Sequence, residues 1–493
     1  MRRLMMCTVV LLALTVAAAT VSAAEIPDRP EKLVFTDLTF DVPDADSLRF
    51  ELADGTPVYA KQDSQFPLVN ITVFFRGGRY LEPDGKAGLA AITGDAWRSG
   101  GAGDYTAQDL DEELDYLAAN LSTSIGDVTG SVSLNVLSKD MDQAMAIFMD
   151  VLTKPRFQED RFAKTKDNML QAMKQRNDDT ADIEAREWDR LIYGDSYWMN
   201  RLATQASVDA VSAGDCKKFV NSLVRSGNLV VAVAGDFQQA EIEALLNRTI
   251  ATLPKLDEPL PEIPQPSATP APGVYVINKA DVNQGRVSIG KLGYRLGAAN
   301  QFPLMVGNDI LGGGGFTARM MKTIRSDEGL AYSAYSNLSF PVTMPGQFRA
   351  YYQSKSSTCA YAAEIFYELL ESMRTAPPTD EELRTSKASF VETFPRRFAS
   401  AGQVVGLFAT DELLGRPHSY WTEYRDNVAA VTGSDIEKAM AADLDPSKMI
   451  VLVVGNIEEI MAGHPEHDAM ITDFGEIKKV PLRDPLTLEP LAE

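Results

Sequence analysis

The chain carries one plan twice. Asp195-Ser196-Tyr197-Trp198 returns as His418-Ser419-Tyr420-Trp421, and the apolar run at 229–237 (LVVAVAGDF) returns at 449–457 (MIVLVVGNI). The amphipathic stretch at 141–152 has Met141, Ala144, Met145, Phe148 and Leu152 on one face. It returns at 361–373 with Ala362, Ile365, Phe366, Leu369 and Leu370 on its apolar stripe. Each offset is about 220 residues, far longer than a solenoid period, so the 493 residues read as a duplicated domain.

A proline-rich stretch separates the copies. Pro254, Pro259, Pro261, Pro264, Pro266, Pro270 and Pro272 exclude a helix or a central strand and favour an extended spacer. Residues 24–253 are therefore taken as the N-terminal half, 254–273 as the linker and 274–493 as the C-terminal half. In the first half, 56–61 and 69–75 (VNITVFF) have strand character. Helices are expected from Gly85 to about Arg98, at 141–152 and at 162–176, and a buried strand at 229–234. Strands at both ends of each half with helices between them imply an α+β fold, helices lying on one face of a mostly antiparallel sheet. Whether the two halves meet within one chain is left open by the sequence.

The acidic residues, 69 against 47 Lys and Arg, give a formal charge of −22, which repels nucleic acid and anionic lipid. No nucleic-acid partner is expected. Residues 1–23 have the form of an export signal: Arg2 and Arg3, an apolar core at 9–19, and Val21-Ser22-Ala23 as a cleavage site near Ala23. That core is too short to span a bilayer, so a periplasmic or otherwise exported chain without a membrane span is expected. Cys216 and Cys359 remain once Cys7 is removed; they do not make a disulfide framework, and whether they pair is open.

The most chemically suggestive stretch is 311–335, LGGGGFTARMMKTIRSDEGLAYSAY. Gly312, Gly313, Gly314 and Gly315 break regular structure because glycine loses the most backbone freedom on ordering. A short amphipathic helix follows, with Met320, Met321 and Ile324 on one face, then a turn at Asp327-Glu328-Gly329 and an alternating strand at 330–336. Arg325 falls on the last helical turn and Tyr332 near the strand's start, so the turn can bring a guanidinium and a phenol to one side of a cleft. Such a pair can hold an oxyanion or a peptide carbonyl; packing roles alone are the plainer alternative.

Two diverged α/β halves, a proline-rich spacer, a GGGGF loop and Arg-x6-Tyr ending in GLAY together resemble the insulinase/pitrilysin family of inverted-motif zinc peptidases. The resemblance spans about residues 48–457 and implies two homologous α/β sandwich halves in a clamshell. It also implies a zinc site in the first half, where a helix beginning GLAH supplies His, Glu and His and a downstream glutamate completes the set. Here Gly88-Leu89-Ala90 is followed by Ala91 at the first His position, Gly94 at the Glu base and Asp95 at the second His. The distal glutamate falls at Gln171-Ala172. One carboxylate cannot hold a catalytic zinc, so no metal is expected in this chain. His464-Pro465-Glu466-His467 does not replace it, since the proline breaks any helix that would align the ligands.

The resemblance further implies that Arg325 and Tyr332 donate hydrogen bonds to the substrate carbonyl, with the loop Gly312 to Phe316 facing the substrate. In paired-subunit members one chain holds zinc and the other this pair. The expectation is a heterodimer with a zinc-bearing family subunit, acting on peptide or unfolded polypeptide. A non-catalytic peptide-binding or assembly scaffold is the alternative.

Overall fold

The computed structural model describes residues 28–29, 32–33, 39–267 and 271–491; the export-signal segment at 1–23 lies outside them. In the first half a six-stranded sheet contains β1 (Arg49–Glu51), β2 (Pro57–Gln62), β3 (Leu68–Arg76), β4 (Asn120–Ile125), β5 (Thr129–Leu137) and β6 (Leu229–Gly235). Its spatial order is β1-β2-β6-β3-β5-β4, with only the β2–β6 pair parallel. The second sheet contains β7 (Gly273–Asn278), β8 (Gln284–Leu292), β9 (Ala331–Leu338), β10 (Gln347–Lys355), β11 (Ile450–Gly455) and β12 (Ile477–Lys479). The order β12-β7-β11-β8-β10-β9 repeats the first from its second strand onward. The edge strands differ: β1 pairs antiparallel with β2, whereas β12 comes from the chain's C-terminal part and pairs parallel with β7.

The helices that matter here are α1 (Leu89–Ser99), α2 (Met141–Thr153), α3 (Glu159–Lys174), α4 (Thr180–Tyr193), α5 (Gln301–Asn308), α6 (Cys359–Thr375), α7 (Asp380–Thr393) and α8 (Ala401–Leu414). In β3, Val69, Ile71, Val73 and Phe75 are fully buried and face the core that includes Trp97 of α1 and Phe148 of α2. The period of two in VNITVFF and the helical spacing of the 141–152 stripe are thus realised as one interface. Trp97 Nε1 donates to the carbonyl of Val151 at 2.7 Å, so its indole is buried without an orphan donor.

The central strands β6 and β11 are buried along their whole length, which requires cover on both faces. The second cover comes from the other half of the chain. Leu229, Val231 and Val233 belong to the first half's own core, while β6 also contacts α8, where Gly402 approaches Ala234. Reciprocally, Ile183, Trp188 and Ile192 of α4 form one cluster with Ile450, Leu452 and Val454 of β11. Each half therefore lends a helix to its counterpart's sheet. Consistent with that, residues 42–493 group as one unit.

Charged side chains seal both exchanges. Glu184 on α4 is 1% exposed; it accepts from Arg286 Nε at 2.6 Å and from Ser288 Oγ, and pairs with Arg349 at 3.3 Å. Glu412 on α8 accepts from Arg49 Nε and Nη2 at 2.9 and 2.8 Å and from the Tyr59 hydroxyl at 2.5 Å. His418 stands at the N-cap of the following helix, and its Nε2 lies 3.1 Å from the Tyr59 hydroxyl. Cys216 and Cys359 are both buried free thiols, each raised to about 11 chiefly by burial, and they do not pair.

Candidate functional site

Helix α5 does not end at the glycines. Its backbone widens into a π-helical turn over Asp309–Gly313, so Gly312 and Gly313 are the last residues of a helical element and not a free loop. Gly312 is needed for close approach: a Cβ there would lie 2.5 Å from the amide nitrogen of Ser336 in β9. Gly315 serves conformation instead, with φ +63 and open space around it. The turn Gly315–Thr317 then presents Phe316 outward, 74% exposed.

A second π-helical turn, Met321–Asp327, carries Arg325 where the sequence suggests an ordinary helical turn. Met321 and Ile324 are buried and fix its inner face. Such wide turns are rare and concentrate at functional sites. Gly329 at φ +64 reverses the chain into β9, which sets Tyr332 beside Arg325. The Arg325 guanidinium carbon lies 5.0 Å from the Tyr332 ring centroid and 4.7 Å from that of Phe316. Tyr332 is 86% exposed. Among the described residues no carboxylate pairs with Arg325, whose half-buried guanidinium packs against the exposed Phe316 and Tyr332 rings in one patch. Nothing in the spacing announces the Phe316 stacking; the signal available was an aromatic residue immediately after a glycine run.

The corresponding region of the first half offers no metal chemistry. Ala91 and Asp95 lie on α1 and are exposed, and Gly94, at the position of the family's glutamate base, is buried against β4. A Cβ at Gly94 would stand 3.0 Å from the amide nitrogen of Ile125, and the Gly94 carbonyl accepts from Thr123 Oγ1 at 2.7 Å. The helix and the edge strand thus meet where a base would need room. Ala172, exposed on α3, provides no ligand either. The Asp95 carboxyl is pushed up from the usual carboxylate range by desolvation. These residues do not fit a zinc ion, and among the described residues no group of three or more His, Cys, Asp or Glu could hold one. His464 and His467 are engaged locally: His464 Nδ1 accepts from the backbone N–H groups of Glu466 and His467, and His467 stacks on Tyr361 at 3.7 Å.

Among the described residues no helix is long and apolar enough to cross a membrane. Comparison with known proteins agrees with the geometry. The family profile described as insulinase (peptidase family M16) matches residues 58–192, and that of the peptidase M16 inactive domain matches residues 210–390, together more than half of the chain. A non-peptidase homologue, YmxG of Helicobacter pylori, is 23% identical over 415 residues, which is 81% of this chain and 92% of the relative. The crystal structure of a peptidase M16 inactive domain from Pseudomonas fluorescens superposes with a TM-score of 0.73 at 23% identity, over 83% of this chain and 97% of that one. The periplasmic protease PqqL of Escherichia coli superposes with a TM-score of 0.70 at 16% identity, over 90% of this chain but 50% of that one. The chain belongs to the insulinase (M16) peptidase family.

Proposed function

We propose that this chain is the non-zinc subunit of an exported, heteromeric metallopeptidase. It supplies Arg325 and Tyr332 in trans to a zinc-bearing family subunit that cleaves peptide or unfolded polypeptide. The observation carrying this reading is the Arg325–Tyr332 pair, the guanidinium of a π-helical turn 5.0 Å from the exposed ring on β9, without a carboxylate partner for Arg325 among the described residues. A scaffold has no use for a half-buried guanidinium without a carboxylate partner beside an exposed phenol, whereas a carbonyl acquiring negative charge does. The leader at 1–23 supports export.

The test is a pull-down of the tagged mature chain from native periplasmic extract, with zinc and peptidase activity measured on the eluate. Recovery of a zinc-containing family subunit is expected, with activity that the bare chain lacks. In that complex, Arg325→Ala or Tyr332→Phe reduces turnover about 10²-fold, the effect of one lost oxyanion donor, while assembly is retained. If both variants turn over like wild type, or the chain is recovered without metal and activity, the catalytic reading fails in favour of a peptide-binding scaffold.

A further inference from the structure

Where the first half, the linker and the second half meet, they border an open recess of about 550 Å³, within the size range of ligand sites. Leu256, Leu260, Ile263 and Val342, all half-buried, contribute apolar surface to a lining that is otherwise polar in good part. Two arginines, one from each half, stand on its lining. Arg295 is fixed in place, its Nε and Nη2 both donating to the carbonyl of Val342 at 3.0 and 2.7 Å, so that Nη1 is left without a protein partner among the described residues. Arg76, at the end of β3, has no carboxylate within ion-pair distance among the described residues. Its charge lies close enough to the Tyr80 phenol to oppose the upward push that burial gives that group. Tyr80 in turn donates to the carbonyl of Pro261 at 3.3 Å, which ties the arginine's surroundings to the linker wall.

In a chain with 69 acidic and 47 basic residues, two arginines sharing one recess without an acidic partner are conspicuous. The only carboxylate on the lining, Glu262, pairs with neither. Guanidinium forks match carboxylates in geometry. The linker wall at 257–265 carries neither helix nor strand and belongs to neither sheet, so its backbone is free of ladder partners there. We propose that this recess captures the C-terminal carboxylate of a peptide with apolar terminal residues, Arg76 and Arg295 gripping the carboxylate from the two halves. The side chains of Leu256, Leu260, Ile263 and Val342 offer a peptide's apolar terminal residues a surface that a free inorganic anion does not use.

The experiment uses the full mature chain and a fluorescent hexapeptide ending in Val-Leu, with a free C-terminus or amidated, in an anisotropy titration. The free acid is expected to bind, and the amide to bind at least roughly tenfold more weakly, as removal of a charge-assisted pair requires. Arg76→Gln and Arg295→Gln each weaken the free acid similarly and leave the amide's affinity unchanged; both residues are exposed, and unchanged melting temperatures verify the fold. Equal binding of acid and amide overturns the proposal, as does absence of binding or indifference to both substitutions. Displacement by inorganic phosphate at the concentration at which an untagged acid peptide competes overturns the choice of a peptide terminus. The readout needs no peptidase activity and stands or falls independently of Arg325 and Tyr332.

Discussion

Replacing Glu184 by Gln tests whether the exchanged helices bind the two halves into one cooperative structure. The carboxylate is 1% exposed and serves Arg286, Ser288 and Arg349, all three on the opposite half's sheet. Glutamine keeps the shape but leaves two arginine side chains, 21% and 19% exposed, without their counter-charge. Stranding one side of a buried ion pair costs about 3–5 kcal/mol, and the partial exposure of these arginines places the expected loss near the lower bound, about 3 kcal/mol. Unfolding entropy of about 2.1 cal/mol/K per residue over roughly 450 residues gives about 0.9 kcal/mol/K, so the melting temperature should fall by about 3 °C. Calorimetry of the mature chain measures this, with Asp142→Asn as control. The Asp142–Arg248 pair is 80% and 55% exposed and lies within the first half. Its loss should move the transition by less than about 1 °C. A shift for Glu184→Gln no larger than the control's refutes the idea that this network holds α4 on the second sheet.

Gly94→Ala adds helix propensity, yet it should lower stability by about 1–3 kcal/mol, because its methyl meets the Ile125 amide at 3.0 Å; urea unfolding of the variant decides the sign. For the same reason the triple change Ala91→His, Gly94→Glu, Asp95→His should bind no stoichiometric zinc and hydrolyse no peptide, and either activity would refute the packing argument. Glu382 is held down to about 2, first by its hydrogen bonds from Arg319. That pairing therefore supports the fold above the ordinary glutamate range near 4.5 and is lost as pH falls towards 2. The stability gap between wild type and Glu382→Gln should close over that window, and a gap independent of pH would contradict it. A protease site inserted in the linker and cut should leave the two pieces co-eluting and melting in one transition, since each holds the other's helix; separation on a sizing column would count against the exchange.

Much of this was legible in the sequence because it rests on period. The alternation in VNITVFF and the apolar stripe at 141–152 predict β3 and α2, and the duplication predicts their counterparts. The proximity of Arg325 and Tyr332 follows from a helix–turn–strand spacing. The π-helical turns beneath them did not follow, since a widened hydrogen-bond pattern leaves no residue signature, and glycines read as a helix breaker in fact end one. The helix exchange was hidden for a different reason. The apolar face of α4 says that it is buried, not against which sheet. The clue lay in β8, where Arg286 and Ser288 alternate with Val287 and Ile289: a strand with a polar inner row calls for a charged partner on that face.

The reciprocal exchange redefines the unit that a chimaera would have to respect. A recombinant protein joining one half of this chain to the complementary half of a relative at the proline-rich linker would cut through both interfaces at once. Glu184 would then face a foreign strand and Arg49 a foreign helix. The transplantable module is discontinuous: residues 42–179 and 205–253 with α8, or residues 273–400 and 419–479 with α4. Drift in one copy of the duplicated domain is therefore constrained by the other, because each sheet is read from one copy and roofed by its sibling.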